Sequence, residues 1–189
     1  RQHKIMVLPP DVNESGENFQ VSGGKIRFGL GAIKQVGYQA IEAILEERKK
    51  NGPFRSLQDF CSRVDLSHLN RRVLENLIKA GAFASLPGNR AQQMDILPLC
   101  LEQGLMIQRD KNSNQLSIFD FAGQDEAYNP PIPLPDIPDY SEKELLQMEK
   151  EVLGLYLSGH PLAPYQEAIR RRASHTIEEL TMENDGETV

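Results

Sequence analysis

Short apolar segments at the start of the chain predict extended structure. The first apolar run stops at Pro9 and Pro10, and turn-forming residues follow it. Two further segments, 19–21 and 25–28, flank Ser22-Gly23-Gly24, an order typical of a β-hairpin. Because an isolated hairpin is only marginally stable in water, we expect this one to be the edge of a larger structure.

From Gly29 to Lys111 the apolar positions change to the i, i+3, i+4 spacing of amphipathic helices. Turn-forming and capping residues divide this part of the chain into four predicted helices. The first contains Ile41, Ile44 and Leu45 and ends at Asn51-Gly52-Pro53, and the second begins at Ser56, with Asp59 as its capping-box partner, and ends near Val64. The third runs from Asn70 to Gly81, and Asn89 opens a longer fourth helix that Pro98 is expected to kink.

The apolar periodicity is lost between residues 112 and 140. Prolines at positions 130, 131, 133, 135 and 138 exclude regular hydrogen-bonded structure there, so we predict an extended, flexible linker with few buried contacts. Helical spacing resumes after a capping box at Ser141–Glu144, and Ser158-Gly159-His160-Pro161 is expected to end that helix. A last short helix is predicted near residues 164–173.

Composition limits the class of protein. The chain has 189 residues, 39% hydrophobic and 25% charged, which is enough for one or two modest folded domains. It contains no apolar run of the roughly 20 residues that cross a bilayer, and no signal-peptide pattern at its start. Cys61 and Cys100 lie in helical segments, so we expect neither a disulfide framework nor a cysteine zinc site, and a reducing, cytoplasmic location.

The charge is distributed unevenly along the chain. The formal net charge is −6, but residues 1–90 have a balance of +5 and residues 91–189 a balance of −11. A mildly basic first half and a strongly acidic second half indicate different partners for the two halves.

No catalytic or metal-binding constellation is visible in the sequence. The four histidines are far apart, and none has a second ligand at helical spacing. The sequence has neither an Asp-x-Asp pair that could hold two metal ions nor a Gly-rich phosphate loop. We therefore expect no catalytic residue, no metal and no cofactor in this chain. The histidines are His3, His68, His160 and His175.

One segment, residues 29–41, has the pattern of a short helix, a tight turn and a second helix. We expect Gly37 to permit an unusual turn conformation and to let a ligand approach closely. The free N–H groups of the following helix, with Lys34 beside them, predict an anion site. The candidate binding residues are Gly31, Lys34, Gln35, Val36, Gly37, Tyr38 and Gln39.

Residues 77–83 are a weaker copy of this pattern, with Lys79 and Gly81 as its candidate residues. Both copies contain Ile-Lys followed by a turn glycine. Two interpretations remain open: a pair of ordinary helix–helix corners, or tandem helix-hairpin-helix modules that grip a nucleic-acid backbone without reading bases.

A second signal lies inside the predicted linker. A glutamine followed by aliphatic and aromatic residues in an acidic, poorly packed stretch is typical of a short peptide that docks in an apolar groove of a partner. The alternative is a patch that folds back on its own domain. The segment is Gln115, Leu116, Ser117, Ile118 and Phe119.

Several segments resemble the alpha subunit of bacterial DNA polymerase III, the replicative polymerase. They lie in order along nearly the whole chain: residues 7–15 (VLPPDVNES), 26–34 (IRFGLGAIK), 77–83 (LIKAGAF) and 151–162 (EVLGLYLSGHPL). The resemblance implies that residues 31–39 are a helix-hairpin-helix DNA contact and that residues 115–119 bind the sliding clamp. Gln35 departs from the family, in which glycine is frequent there, so we expect a slightly less open hairpin.

The resemblance also implies a domain organisation. Residues 1–28 would be the end of the fingers domain, 29–111 a tandem helix-hairpin-helix region, 112–140 a linker with the clamp motif, and 141–189 a helical connector to an OB-fold domain. The implied fold class is mainly α with a small N-terminal β-hairpin. The family's polymerase carboxylates, which would use magnesium, and its histidinol-phosphatase-like domain are not in this chain.

The implied function is processive DNA synthesis, with duplex DNA, the sliding clamp (beta subunit) and other polymerase III subunits as partners and no membrane. Two alternatives remain open from the residues themselves. One is a free-standing helix-hairpin-helix adaptor of DNA repair, and the other is a protein-interaction scaffold without affinity for DNA.

Overall fold

A three-stranded sheet opens the fold in the computed structural model, which describes residues 6–112 and 130–172. Strands β2 (Gln20–Ser22) and β3 (Lys25–Arg27) form the predicted antiparallel hairpin. Strand β1 (Val7–Leu8) pairs in parallel with β3, so the strand order is β1-β3-β2. The hairpin prediction is confirmed. Strand β1 adds a third strand, so the hairpin is part of a larger sheet, as expected.

Four helices follow, close to the predicted bounds. Their ends are set by local capping: the Ser56 side chain accepts a hydrogen bond from the Asp59 N–H, and Asn70 accepts one from the Val73 N–H. Asn89 and Gln92 exchange side-chain-to-backbone hydrogen bonds at the start of the fourth helix. The helices are α1 (Tyr38–Asn51), α2 (Leu57–Arg63), α3 (Arg71–Lys79) and α4 (Arg90–Asn112), with Pro98 inside α4.

One aliphatic and aromatic core joins these elements. The rings of Phe54, Phe60 and Phe83 form a chain of contacts, with centroid separations of 4.7 and 5.0 Å. Helix α4 packs against α2 and α3, and Phe28 extends the core to the sheet. The prediction of a mainly α fold with a small N-terminal β element is confirmed.

Residues 130–140 are extended and largely exposed, as predicted, but they are attached to the helices. Gln58 donates a hydrogen bond to the Pro130 carbonyl and accepts one from the Ile132 N–H. Farther along, Gln92 donates to the Pro135 carbonyl at 2.7 Å. The prediction of an extended segment with few buried contacts is confirmed for this part, and the hydrogen bonds from Gln58 and Gln92 hold the segment against α2 and α4.

Helix α5 (Glu142–Leu153) begins with the predicted capping box, in which Ser141 and Glu144 bond each other's backbone N–H groups. It ends at Gly154, which adopts the left-handed conformation with φ 79°. The predicted end at residues 158–161 is therefore wrong: the earlier glycine terminates the helix. A 3₁₀ turn (Ala163–Tyr165) and helix α6 (Gln166–Arg172) confirm the last predicted helix.

Helix α5 belongs to the same core as the preceding helices. It packs on α3, and Val152 and Leu153 are buried with the residues of α1–α4. The segment predicted as a connector, residues 141–189, thus begins in the same hydrophobic core as α1–α4. None of the helices in residues 6–112 and 130–172 is long and apolar enough to cross a membrane.

Candidate nucleic-acid interface

The first hairpin connects a 3₁₀ helix (Leu30–Ala32) to α1. Lys34 and Gln35 are exposed in the connecting turn, whereas the Val36 side chain is buried in the core. Gln35 adopts the left-handed conformation with φ 66°, and Gly37 has an ordinary φ of −77°. The expectation that Gly37 supplies the unusual turn conformation is therefore wrong, because Gln35 supplies it.

Gly37 is the N-cap of α1 and leaves the end of that helix open. No side chain caps α1, and a Cβ atom added at Gly37 would meet no atom within 4 Å among the described residues. The glycine is therefore not required by packing within the chain. What it provides is open space beside the first turn of the helix, which a ligand can enter.

The N–H groups of Tyr38, Gln39 and Ala40 have no hydrogen-bond acceptor within the described part of the chain. The fourth N–H of the helix, at Ile41, bonds to the Gly37 carbonyl. Free N–H groups at the start of a 14-residue helix carry partial positive charge and can bind an anion. We call these three N–H groups, Gly37 and Lys34 the α1 site.

Lys34 adds a full positive charge to the α1 site. Its side chain is exposed, and it takes part in none of the ion pairs found among the described residues.

Gly31, three residues before Lys34, lies close to the Glu17 carbonyl, which accepts a hydrogen bond from the Gly31 N–H. An added Cβ at Gly31 would lie 3.0 Å from that oxygen, so a small residue suits this contact.

Carboxylates also lie near the α1 site. The Tyr38 hydroxyl, on a side chain that is 61% exposed, donates a hydrogen bond of 3.4 Å to Glu42. The negative charge of Glu42 and this hydrogen bond, with smaller contributions from Glu17 and Glu46, raise the pKa of Tyr38. The positive potential of the α1 site is thus partly offset by its own surroundings.

The second predicted hairpin has a different environment. Gly81 is buried and left-handed (φ 77°), and it caps α3: its N–H bonds to the Ile78 carbonyl and that of Ala82 bonds to the Leu77 carbonyl. A Cβ at Gly81 would lie 2.6 Å from Arg90. These contacts give Gly81 a role in helix capping inside the fold.

Helix α5 covers this second connection. Lys79 is paired with Glu151 at 2.8 Å, so its charge is already partly neutralised. Arg90 donates to the Lys79 carbonyl at 3.0 Å and pairs with Glu149. The structure therefore leaves the first hairpin open and occupies the second with its own side chains.

Glu149 is a buried polar residue that the sequence reasoning missed. It is 2% exposed and accepts hydrogen bonds from the N–H groups of Leu157 and Ser158 as well as from Arg90. Burial raises the pKa of Glu149, but the N–H bonds from Ser158 and Leu157 and the bond from Arg90 outweigh it, so the pKa lies below its usual range. A glutamate on the apolar face of α5 was the available signal.

The remaining candidate residues lie apart from the α1 site. Within residues 6–112 and 130–172 no three His, Cys, Asp or Glu side chains are grouped so as to hold a metal ion. Residues 115–119, the candidate clamp motif, lie outside the described residues, as do His3 and His175.

Comparison with known proteins bears on both hairpins. Residues 4–93 match the family described as helix-hairpin-helix motif. The chain is 42% identical over 181 residues to the DNA polymerase III subunit alpha of Neisseria meningitidis serogroup A, covering 95% of this chain and 15% of that protein. It is 44% identical over 177 residues to the subunit of Thermus aquaticus, covering 94% and 14%.

The subunit of Deinococcus radiodurans is 42% identical over 180 residues, covering 95% of this chain and 13% of that protein. The chain thus spans about one seventh of the length of these relatives. The aligned portion covers nearly all of the chain, and the helix-hairpin-helix match includes the α1 site and Gly81. The chain therefore belongs to the family of DNA polymerase III alpha subunits.

Proposed function

We propose that this chain holds duplex DNA by its phosphate backbone, through the α1 site. The observation that carries the proposal is the set of unbonded N–H groups at Tyr38, Gln39 and Ala40 beside the open space at Gly37 and the unpaired Lys34. Backbone N–H groups and a lysine recognise phosphate charge and carry no base information, so binding is independent of sequence. The second connection contributes less, because Lys79 is already paired and Gly81 is buried.

We further propose that residues 115–119 bind the sliding clamp. Ile118 and Phe119 offer apolar side chains worth about 2 to 3 kcal/mol each when fully buried in a groove. Gln115, which both donates and accepts hydrogen bonds, fixes the register. Support comes from the segment that follows the motif, because residues 130–140 are held to α2 and α4 by hydrogen bonds from Gln58 and Gln92.

Together these two contacts define a role in processivity. In a polymerase alpha subunit, a weak backbone grip and a weak clamp contact reinforce each other through effective concentration. Nucleotide addition, with its magnesium ions, would be carried out by other parts of the parent protein. The names of the relatives favour this role over a free-standing repair adaptor or a scaffold without affinity for DNA.

The experiment is duplex binding as a function of salt, measured by fluorescence anisotropy with two unrelated sequences. We expect equal affinity for both and a marked loss of affinity between low and moderate salt. Lys34→Ala should reduce the slope of log affinity against log salt by about one. Lys49→Ala, the same charge change at the other end of α1, is the matched control and should leave the slope nearly unchanged. An affinity for duplex DNA that does not change with salt would contradict the proposed binding to the phosphate backbone.

A further inference from the structure

A buried side chain of the second hairpin reaches into the turn of the first. Asn76 lies on α3 and is only 7% exposed. Its Nδ2 group donates hydrogen bonds to the Lys34 carbonyl at 2.8 Å and to the Gln35 side-chain oxygen at 3.2 Å. Because these partners are 42 and 41 residues away along the chain, the contact exists only in the folded protein.

The residues that Asn76 binds form the unusual part of the turn. Gln35 is left-handed, a conformation that residues with a Cβ rarely adopt without support. The Lys34 N–H is held separately by the Val152 carbonyl at the end of α5, at 2.9 Å. Both polar groups of the Lys34 backbone are therefore bonded to other elements, α3 on one side and α5 on the other.

We infer that Asn76 is a positioning residue for the α1 site, an inference that rests on the proposed DNA binding. Asn76 does not touch the phosphate. It fixes the left-handed turn, and the turn fixes where the Lys34 side chain stands relative to the free N–H groups of Tyr38 and Gln39. Gln35 contributes the second acceptor, which explains how this chain maintains a turn that glycine would form without help.

The test is a double-mutant cycle in the 189-residue chain, read out by duplex anisotropy over a range of salt concentrations. Asn76→Ala should lower the affinity about tenfold and reduce the salt slope by about one, because the lysine and the N–H groups no longer act together. Gln35→Gly in the same chain should restore most of the affinity, since glycine adopts the left-handed conformation without side-chain support.

Gln93→Ala is the matched control. Gln93 is also a buried amide, 2% exposed, but it donates to the carbonyls of Phe83 and Gly88 in the second connection. We expect it to lower the melting temperature without changing the salt slope. Where Asn76→Ala fails to fold by circular dichroism, Asn76→Leu replaces it, because leucine keeps a similar shape and removes both N–H donors without adding a charge.

The outcomes separate the inference from the proposed function. An Asn76 variant that binds DNA as tightly as the Gln93 variant overturns the inference, and so does a double variant without recovery. A wild-type chain that binds no duplex overturns the proposed function and the inference with it. A third outcome is that Lys34→Ala reduces the slope of log affinity against log salt and the Asn76 variant does not. That result would support the proposed DNA binding and refute the positioning role of Asn76.

Discussion

Arg90 and Glu149 form an ion pair of 3.1 Å that joins the start of α4 to the buried face of α5. Arg90 also bonds to the Lys79 carbonyl, and Glu149 to two N–H groups of the segment after α5. One pair of side chains thus connects the end of α3, the start of α4 and the segment that follows α5. Residues separated by 59 positions make the second hairpin and helix α5 parts of one folded unit.

This pair predicts a pH-dependent stability. The pKa of Glu149 is lowered in the folded chain, so its contribution is fully present above the unfolded value of about 4.3 and is lost as the pH falls through the folded pKa. Glu149→Gln should lower the free energy of unfolding at pH 7 by about 2 to 3 kcal/mol. Denaturant titrations at pH 7 and pH 3 should show the difference between wild type and variant shrinking at the lower pH. A constant difference would contradict the assignment to this carboxylate.

The two turn glycines should respond in opposite ways to the same substitution. Gly37→Val places a side chain in open space at an ordinary φ, so stability should fall by less than about 1 kcal/mol. Duplex affinity should fall about tenfold, because the valine occupies the space that a phosphate needs beside the N–H groups.

Gly81→Val should instead lower the free energy of unfolding by about 2 kcal/mol or more, since valine is strained at φ 77° and meets the Arg90 guanidinium. Thermal melts and anisotropy on both variants give the comparison. Equal effects of the two substitutions on DNA affinity would refute the distinction between an open and an occupied hairpin.

Removing a carboxylate near the α1 site should strengthen binding. Glu42→Gln keeps the size of the side chain but removes the charge that is the largest cause of the raised pKa of Tyr38. We expect duplex affinity to rise about two- to threefold at low salt, with the gain disappearing at high salt. Spectrophotometric titration should show a lower pKa for Tyr38. Glu75→Gln, on α3, serves as the control; an unchanged affinity in Glu42→Gln would place the DNA elsewhere.

The proposed clamp contact predicts a separation of the two binding activities. Replacing Ile118 and Phe119 together by alanine should abolish binding to a purified bacterial sliding clamp, because the apolar anchors are removed. Duplex affinity and helix content should stay at wild-type values. The matched control replaces Leu134 and Ile137, two half-exposed apolar residues of the returning segment. Clamp binding that survives in the Ile118 and Phe119 variant locates the tether in another segment.

Local signals account for the parts of the fold that were predicted correctly. Ser56, Asn70 and Ser141 each cap a helix through a backbone group three residues away, so the sequence within one helical turn contains the whole interaction. The hairpin at residues 20–27 depends likewise on a two-glycine turn and its flanking residues. Helix α5 ends earlier than predicted because Gly154 adopts the left-handed conformation that terminates a helix, before the Gly-His-Pro sequence is reached.

Sequence by itself determined that the helices exist, which residues cap their starts, the hairpin and the segment that contains the first candidate contact, because each depends on residues that are neighbours along the chain. The tertiary structure alone decided that Gln35 is left-handed, that Asn76 supports it, and that Glu149 and Arg90 close the second hairpin. These contacts join residues 41 to 59 positions apart. The spacing of residues along the chain does not predict such pairs. They form because the burial of apolar side chains brings the helices together, and each buried polar group then requires a hydrogen-bond partner.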